Sequence, residues 1–258
     1  MSSTKKKKKK HYIIKQIKQQ EIQALKRAAK YRREFLGNVS HELKTPIFNI
    51  QGYVHTLLDG AINDDNVNIK YLQRTSKSID RLIAIIDDLD AISRLESDEL
   101  KLEKTNWDII ELINEVFETF EVKSEKKNIK LKLPKHQKPL FVEADRNKIS
   151  QVLYNLISNA IKYGQEFGEV RGQVTNESNQ ILISIKDNGI GIDEENIPRL
   201  FERFYRVDKG RSRSEGGTGL GLAIVKHIIE AHDEKIEVLS EKNVGTEFIF
   251  TLKKIKNE

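Results

Sequence analysis

Phe35-Leu36-Gly37-Asn38-Val39-Ser40-His41-Glu42-Leu43-Lys44-Thr45-Pro46 is the stretch from which the rest of this 258-residue chain can be read. Ile22, Leu25, Leu36, Val39 and Leu43 fall on a three–four seam, with Ala29 and Arg32 between them. Such a seam packs one helix against another in a bundle. His41 lies two residues from both Val39 and Leu43. At about 100° per residue that turns it roughly 200° away from them, to the water side. Thr45 follows one turn on, on the same outer face, and Glu42 stands beside it. Pro46 removes a backbone donor, so the helix is expected to bend or break there. An imidazole held outward, with a carboxylate beside it and a hydroxyl one turn on, has the layout of a reactive group.

Outward from this stretch the helical pattern runs from about Tyr12 to Leu58, with apolar spacing resuming at Ile47, Ile50, Val54 and Leu57. Gly60 and Asn63-Asp64-Asp65-Asn66 mark a loop. A second helix is expected from about Asn68 to Leu95, with Leu72, Ile79, Leu82, Ile86 and Leu89 on its buried side. Two long helices and a short loop make an antiparallel hairpin. Alone, the hairpin leaves much of its apolar stripe wet, whereas two copies form a four-helix bundle, so burial argues for a homodimer.

Hydrophobic residues make up 38% of the chain and charged residues 33%, which describes a helix-rich protein with well-wetted surfaces. There is no cysteine, so disulfides, thiolate metal sites and cysteine nucleophiles are excluded. No run approaches the ~18 apolar residues of a membrane span, and no signal peptide is expected. Residues 1–34 carry thirteen Lys and Arg against Glu21 and Glu34, a balance of +11; with a total of +6, the remaining residues sum to −5. The basic character therefore belongs to the amino-terminal arm. Lys5 to Lys10 could hold anionic lipid or nucleic acid, but no aromatic residues interleave with them. A solvated flexible tail is the simpler reading, and no nucleic-acid partner is expected.

The texture changes after a polar linker at 98–106. A helix is expected from Asp108 to about Lys127 and a stronger one over Arg146 to Tyr163. Strands are expected at Ile129–Leu133, Phe141–Ala144, Val170–Val174, Ile181–Asp187, Ile236–Leu239 and Thr246–Leu252, with a further helix from Leu220 to about Ala231. This order suggests a two-layer α+β domain with a mostly antiparallel or mixed sheet. The expected division is a tail and signalling helix over 1–31, a helical hairpin over 32–97, and an α+β domain over 107–258.

Three pieces of that second domain bear chemistry. On the helix Arg146–Tyr163, Asn155 and Asn159 are four apart, and Lys162 and Tyr163 continue their polar edge. Two carboxamides offer hard oxygen ligands for Mg²⁺, and the ammonium offers a cation for phosphate. Next, Asp187-Asn188-Gly189-Ile190-Gly191-Ile192 ends a β-pattern. An aspartate there can accept a hydrogen bond from an exocyclic amine, while the glycines let backbone approach a flat base; an ordinary Asn-Gly turn is the competing reading. The third piece is Gly216-Gly217-Thr218-Gly219-Leu220-Gly221-Leu222, glycine-rich and opening a helix, where backbone amides can bind phosphate.

The order Ser-His-Glu-Leu-Lys-Thr-Pro resembles the phosphoacceptor box of the sensor histidine kinases of two-component systems, and the likeness extends from about Arg32 to the end of the chain. The stretch from Tyr31 to Pro46 looks closest to phosphate-regulon-type sensors. Asn155–Tyr163, Asp187–Ile192, Phe201–Arg206 and Gly216–Leu222 look like the N, first glycine, F and second glycine boxes of the Bergerat-type ATP-binding domain. Histidine kinases share that domain with gyrases, mismatch-repair ATPases and large heat-shock chaperones. Gly245-Thr246 resembles the last glycine box.

The resemblance implies ATP and Mg²⁺ as cofactors. It makes Asn159 the main Mg²⁺ ligand, with Asn155 assisting it or lining the γ-phosphate, and sets Asp187 on the adenine amine, with Gly189 and Gly191 at the ring. Lys162 and Arg206 would touch phosphate oxygens, and Tyr163 would pack near the base or ribose. Gly217, Thr218, Gly219, Leu220 and Gly221 would cradle the phosphates, with Lys209 to Gly217 as a mobile lid. The chaperone and gyrase relatives carry a glutamate where Asn155 stands, so plain ATP hydrolysis is disfavoured and an external acceptor, His41, is implied. One departure is Asp233-Glu234 where the family usually has a glycine pair; the preceding helix is expected to end differently.

The expected reaction is ATP-dependent autophosphorylation of His41, followed by transfer to an aspartate on the receiver domain of a response regulator. An ordinary imidazole, with a pKa of about 6.5, offers a neutral nitrogen nucleophile near pH 7. Glu42 can orient the ring or take a proton. Thr45 can hold a water against the phosphorylated regulator, which adds an expected phosphatase activity. The expected location is cytoplasmic. The chain would be either a soluble kinase or the cytoplasmic portion of an inner-membrane sensor, with membrane contact only through a sensor region. A non-catalytic ATP-fold scaffold is the rival reading.

Overall fold

The computed structural model describes residues 2–96, 101–133, 138–207 and 217–255. The chain divides into two compact units, Met1–Leu82 and Ile83–Glu258.

In the first unit, helix α1 spans Ser2–Leu58, a 3-10 turn covers Ala61–Asn63, and helix α2 begins at Asn68 and runs to Glu96, crossing into the second unit. Gly60, at φ 117°, turns the chain between the helices. Arg81 donates to Glu42 at 2.9 Å, and the Tyr53 and Tyr71 rings lie 5.7 Å apart with Arg74 over both. These pairings advance along one helix as they retreat along the other, so the hairpin is antiparallel.

Three expectations are corrected here. Helix α1 starts at Ser2, so the backbone of the lysine run is helical rather than an irregular tail; lysine is a good helix former. Of the bend or break expected at Pro46, the break does not occur: α1 continues for three turns beyond it. Pro46 itself is buried, so packing offsets the missing donor. The third concerns the seam of α2. Leu72, Ile79 and Ile86 are exposed, whereas Ser78, Ile85 and Ile92 are buried. Two seven-residue repeats run one residue apart on this helix; the one containing Ile85 is buried, and its Ile92 packs into the core of the second unit. Ile22, Leu25 and Leu36 of α1 are likewise exposed.

In the second unit, strand β1 (Thr105–Asp108) pairs antiparallel with β3 (Phe141–Ala144). The larger sheet has the order β2-β4-β5-β7-β6, built from Lys130–Lys132, Glu169–Asn176, Gln180–Asp187, Gly245–Lys253 and Ile236–Glu241 respectively. Only β2 and β4 run parallel, so the sheet is mixed, as expected. Helices α3 (Ile109–Thr119), α5 (Arg146–Tyr163) and α6 (Gly221–Ala231) cover one face. Their apolar stripes meet Ile181, Ile183, Ile185, Phe248, Phe250 and Leu252 in one core. A short helix α4 (Glu121–Glu125) follows α3, so the single helix expected to reach Lys127 is divided at Phe120. Thr105 and Asn106, expected in the linker, are strand residues.

The end of α6 corrects a further expectation. Glu234 N donates to Ile229 O and Asp233 N to Glu230 O, the paired bonds of a Schellman ending. Asp233 adopts the left-handed conformation itself, at φ 63°. The helix therefore ends as it would with glycine, but with a Cβ in a region costly for L-residues. Asp233→Gly is expected to raise stability by about 0.5–1 kcal/mol, measured by urea denaturation. The Lys104–Asp233 ion pair it removes, at 3.9 Å, is too exposed on the aspartate side to offset this.

Candidate functional site

His41 is exposed on α1, as its phase against the seam predicts. Glu42, one residue on, turns inward: its carboxylate receives Arg81 of α2, and the two side chains are only 14% and 13% exposed. Thr45 is half-buried, and its hydroxyl donates to the His41 carbonyl at 3.3 Å. His41 and the ion-paired Glu42 are neighbours about 100° apart around α1, the imidazole exposed to water and the carboxylate turned to Arg81.

The second constellation is assembled by α5, the β5 end and the start of α6. Asp145 caps α5, accepting from Lys148 N at 3.1 Å, and receives Glu103 N on its other oxygen. The buried stripe from Ile149 to Ile161 then fixes the helix's rotation, which leaves Asn155, Asn159, Lys162 and Tyr163 half-buried along its rim. Lys162 Nζ stands 5.0 Å from the Tyr163 ring centre. Asn155 lies against Gly221, the first residue of α6: a Cβ there would come within 3.0 Å of Asn155 Oδ1. The helix carrying the two asparagines and the glycine loop are therefore brought together.

Asp187 ends β5 in a buried position, 7% exposed. Burial pushes its carboxyl up to about 6, against the opposing pull of the Gly189 and Thr246 amides that donate to it. The loop beyond is stitched to α5 by Ile190 N donating to Tyr163 O at 3.2 Å. Gly191 sits at φ +63°, where a Cβ would fall 1.9 Å from Glu241 O. Contact with the chain's own β6–β7 hairpin thus already demands glycine there. Asn188 has a structural task too, accepting from Glu169 N at 2.7 Å.

The glycine loop is described from Gly217 onward. The expected lid from Lys209 lies, up to Gly216, outside the described residues. Thr218 and Leu220 are buried, and Gly219 adopts φ +77° with its carbonyl accepting from Phe204 N at 2.8 Å. A Cβ on Gly219 would lie 3.2 Å from Arg206 Nε, so that guanidinium stands beside the loop. No side chain caps α6 at Leu220. Backbone amides at such an end suit an anion.

Among the described residues no cluster of three or more His, Cys, Asp or Glu could hold a metal by itself. The carboxamides Asn155 and Asn159 suit Mg²⁺ that arrives with phosphate and keeps several waters. Three partners escaped the sequence reading. Arg81 holds Glu42, Asp88 holds Thr218, and Ser240 receives Ile192 N while donating to Gly245 O. None of them had a signal in the sequence: the partners lie 39, 130 and 48 residues apart and are chosen by packing between elements.

Residues 31–98 match the family described as the His Kinase A (phospho-acceptor) domain, and residues 144–256 match the histidine kinase-, DNA gyrase B- and HSP90-like ATPases. The sensor histidine kinase WalK of Bacillus subtilis (strain 168) is 39% identical over 223 residues, covering 86% of this chain. The chain spans 36% of that relative's length. The solved catalytic domain of histidine kinase ThkA is 37% identical, with a TM-score of 0.53, and is covered over 96% of its length by 59% of this chain. The structure of ThkA in complex with response regulator protein TrrA is 30% identical with a TM-score of 0.71, covering 86% of this chain and 61% of that one.

Proposed function

From a chain that belongs to the sensor histidine kinases of two-component systems, we propose a protein-histidine kinase that phosphorylates His41 from ATP and passes the phosphoryl group to an aspartate of a response regulator. The observation that carries this reading is an exposed imidazole on α1 in a chain that also builds an asparagine, aspartate and glycine-loop cradle. A ring nitrogen of His41 forms a bond to the γ-phosphorus, the bond from that phosphorus to the bridging oxygen breaks, and ADP leaves. The proton on the other ring nitrogen passes to Glu42 or to water, with Arg81 fixing the Glu42 carboxylate.

Asp187 holds the adenine amine, and Tyr163 packs near the base or ribose. The amides from Gly217 to Gly221, with Lys162 and Arg206, receive the phosphates. Asn159, helped by Asn155, would hold Mg²⁺, which supplies charge neutralisation at the phosphates when bound. Asn155 carries no carboxylate to activate water, which favours an external acceptor over hydrolysis.

Exposed Ile22, Leu25, Leu36, Leu72, Ile79 and Ile86 support a homodimer through α1 and α2. No described helix is long and apolar enough to cross a membrane; we assign the chain to the cytoplasm, as a soluble kinase or as the cytoplasmic part of a membrane sensor. The test is incubation with γ-labelled ATP and Mg²⁺. Acid-labile, alkali-stable label on the chain, chased onto a receiver domain, is expected; nucleotide binding without label would favour a non-catalytic scaffold.

Thr45 supports a second activity, dephosphorylation of the regulator, because its hydroxyl sits one turn from His41 and is tied to that residue's carbonyl. Thr45→Ala is expected to slow regulator dephosphorylation about tenfold or more while sparing autophosphorylation. An unchanged dephosphorylation rate would remove this reading.

A further inference from the structure

Asp88 lies on the part of α2 that belongs to the second unit, and it is half-buried. Its Oδ2 accepts from Thr218 Oγ1 at 2.5 Å, and the same hydroxyl oxygen accepts from Leu220 N at 3.2 Å. Thr218 is buried, so little water screens the contact. A carboxylate is therefore set against the loop whose amides, with Arg206 beside Gly219, form the positive end of the phosphate cradle. Burial raises the Asp88 pKa, the Thr218 bond opposes that rise, and neighbouring Asp87 adds to it.

We propose that Asp88 is a positioning residue that sets nucleotide affinity through Thr218: it holds the glycine loop in shape while its charge opposes the phosphates the loop attracts. The inference rests on reading that loop as the phosphate cradle. The opposition grows with ligand charge, so it weakens ATP more than ADP and leaves adenosine untouched. A site weakened in this graded way releases its nucleotide readily between transfers. A purely structural role of Asp88 would give the opposite sign: a loop that loses its shape loses phosphate contacts, so ATP and ADP would bind more weakly, while adenosine, which does not reach the loop, would be unchanged.

The experiment is calorimetric titration of the full chain and Asp88→Asn with adenosine, ADP and ATP. Asparagine keeps an oxygen for Thr218 and removes the charge. Asp88→Asn is expected to bind ATP about three- to tenfold more tightly, ADP by a smaller factor, and adenosine within twofold of the parent. Raising the salt to 0.5 M should compress the ATP difference. Equal tightening of all three ligands, no change, or weaker ATP binding would each overturn the proposal. If Asp88→Asn does not fold, Asp88→Ser, which also removes the charge and offers a hydroxyl, is read by the same criteria. A parent chain that binds no ATP overturns the kinase reading as well, whereas a parent that binds ATP like its variant overturns this inference alone.

Discussion

Replacing His41 by Gln is expected to reduce acid-labile labelling from γ-labelled ATP to background, a fall of at least about 10³-fold, with nucleotide affinity within twofold of the parent. The amide nitrogen of glutamine is delocalised into its carbonyl and offers no lone pair to phosphorus. His41 is exposed, so a polar side chain of similar size should leave stability within about 0.5 kcal/mol. The split between lost transfer and retained binding is the informative result. The same helix also exposes His55, and undiminished labelling of His41→Gln would move the acceptor there or elsewhere.

The second large effect is expected at Asp187. In the proposed reading its carboxylate receives the adenine amine, to which an amide in its stead would present a second donor. A hydrogen bond to a charged group contributes about 1.5–3 kcal/mol. Asp187→Asn should therefore weaken ATP binding about 10- to 100-fold, measured by calorimetry. The pH dependence follows from burial. With its pKa at about 6, the group is ionised at pH 7–8 and takes a proton as the pH falls through 6. Nucleotide affinity of the parent should decline in that window, and that of Asp187→Asn should stay flat.

Stability should move in the opposite sense. The folded pKa lies above the ordinary 3.8, so the native state holds this proton more tightly than the unfolded chain. The stability this group contributes is complete below 3.8 and lost as pH rises through about 6. At pH 7–8 the nucleotide-free Asp187→Asn protein should therefore be more stable than the parent by roughly 1–3 kcal/mol. A weaker binder with a firmer fold is what a buried acid kept for ligand recognition predicts. Loss of binding together with loss of stability would instead mark Asp187 as scaffolding.

Much of this molecule was legible locally. The bounds expected for α5 and β3 from apolar patterning match the structure. The outward turn of His41 followed from its phase against Val39 and Leu43. The mixed sheet followed from the order of strands, whereas its register is a property of the folded structure. Motif order supplied the candidate nucleotide residues, because glycine and asparagine at those intervals meet steric demands that few other residues meet. At Gly191 the demand is now specific: the approach of the Glu241 carbonyl.

The sequence by itself determined most of the elements, the exposed imidazole and the chemistry available on α5 and in the glycine loop, since each depends on residues within a turn or two of one another. Only the tertiary structure decided which of two parallel apolar stripes on α2 is covered, that Glu42 faces Arg81, that Thr218 answers to Asp88, and that Asp233 takes a left-handed turn without glycine. The reason is physical. Periodicity fixes where a side chain points on its own helix or strand, but a partner 39 or 130 residues away is selected by packing between elements.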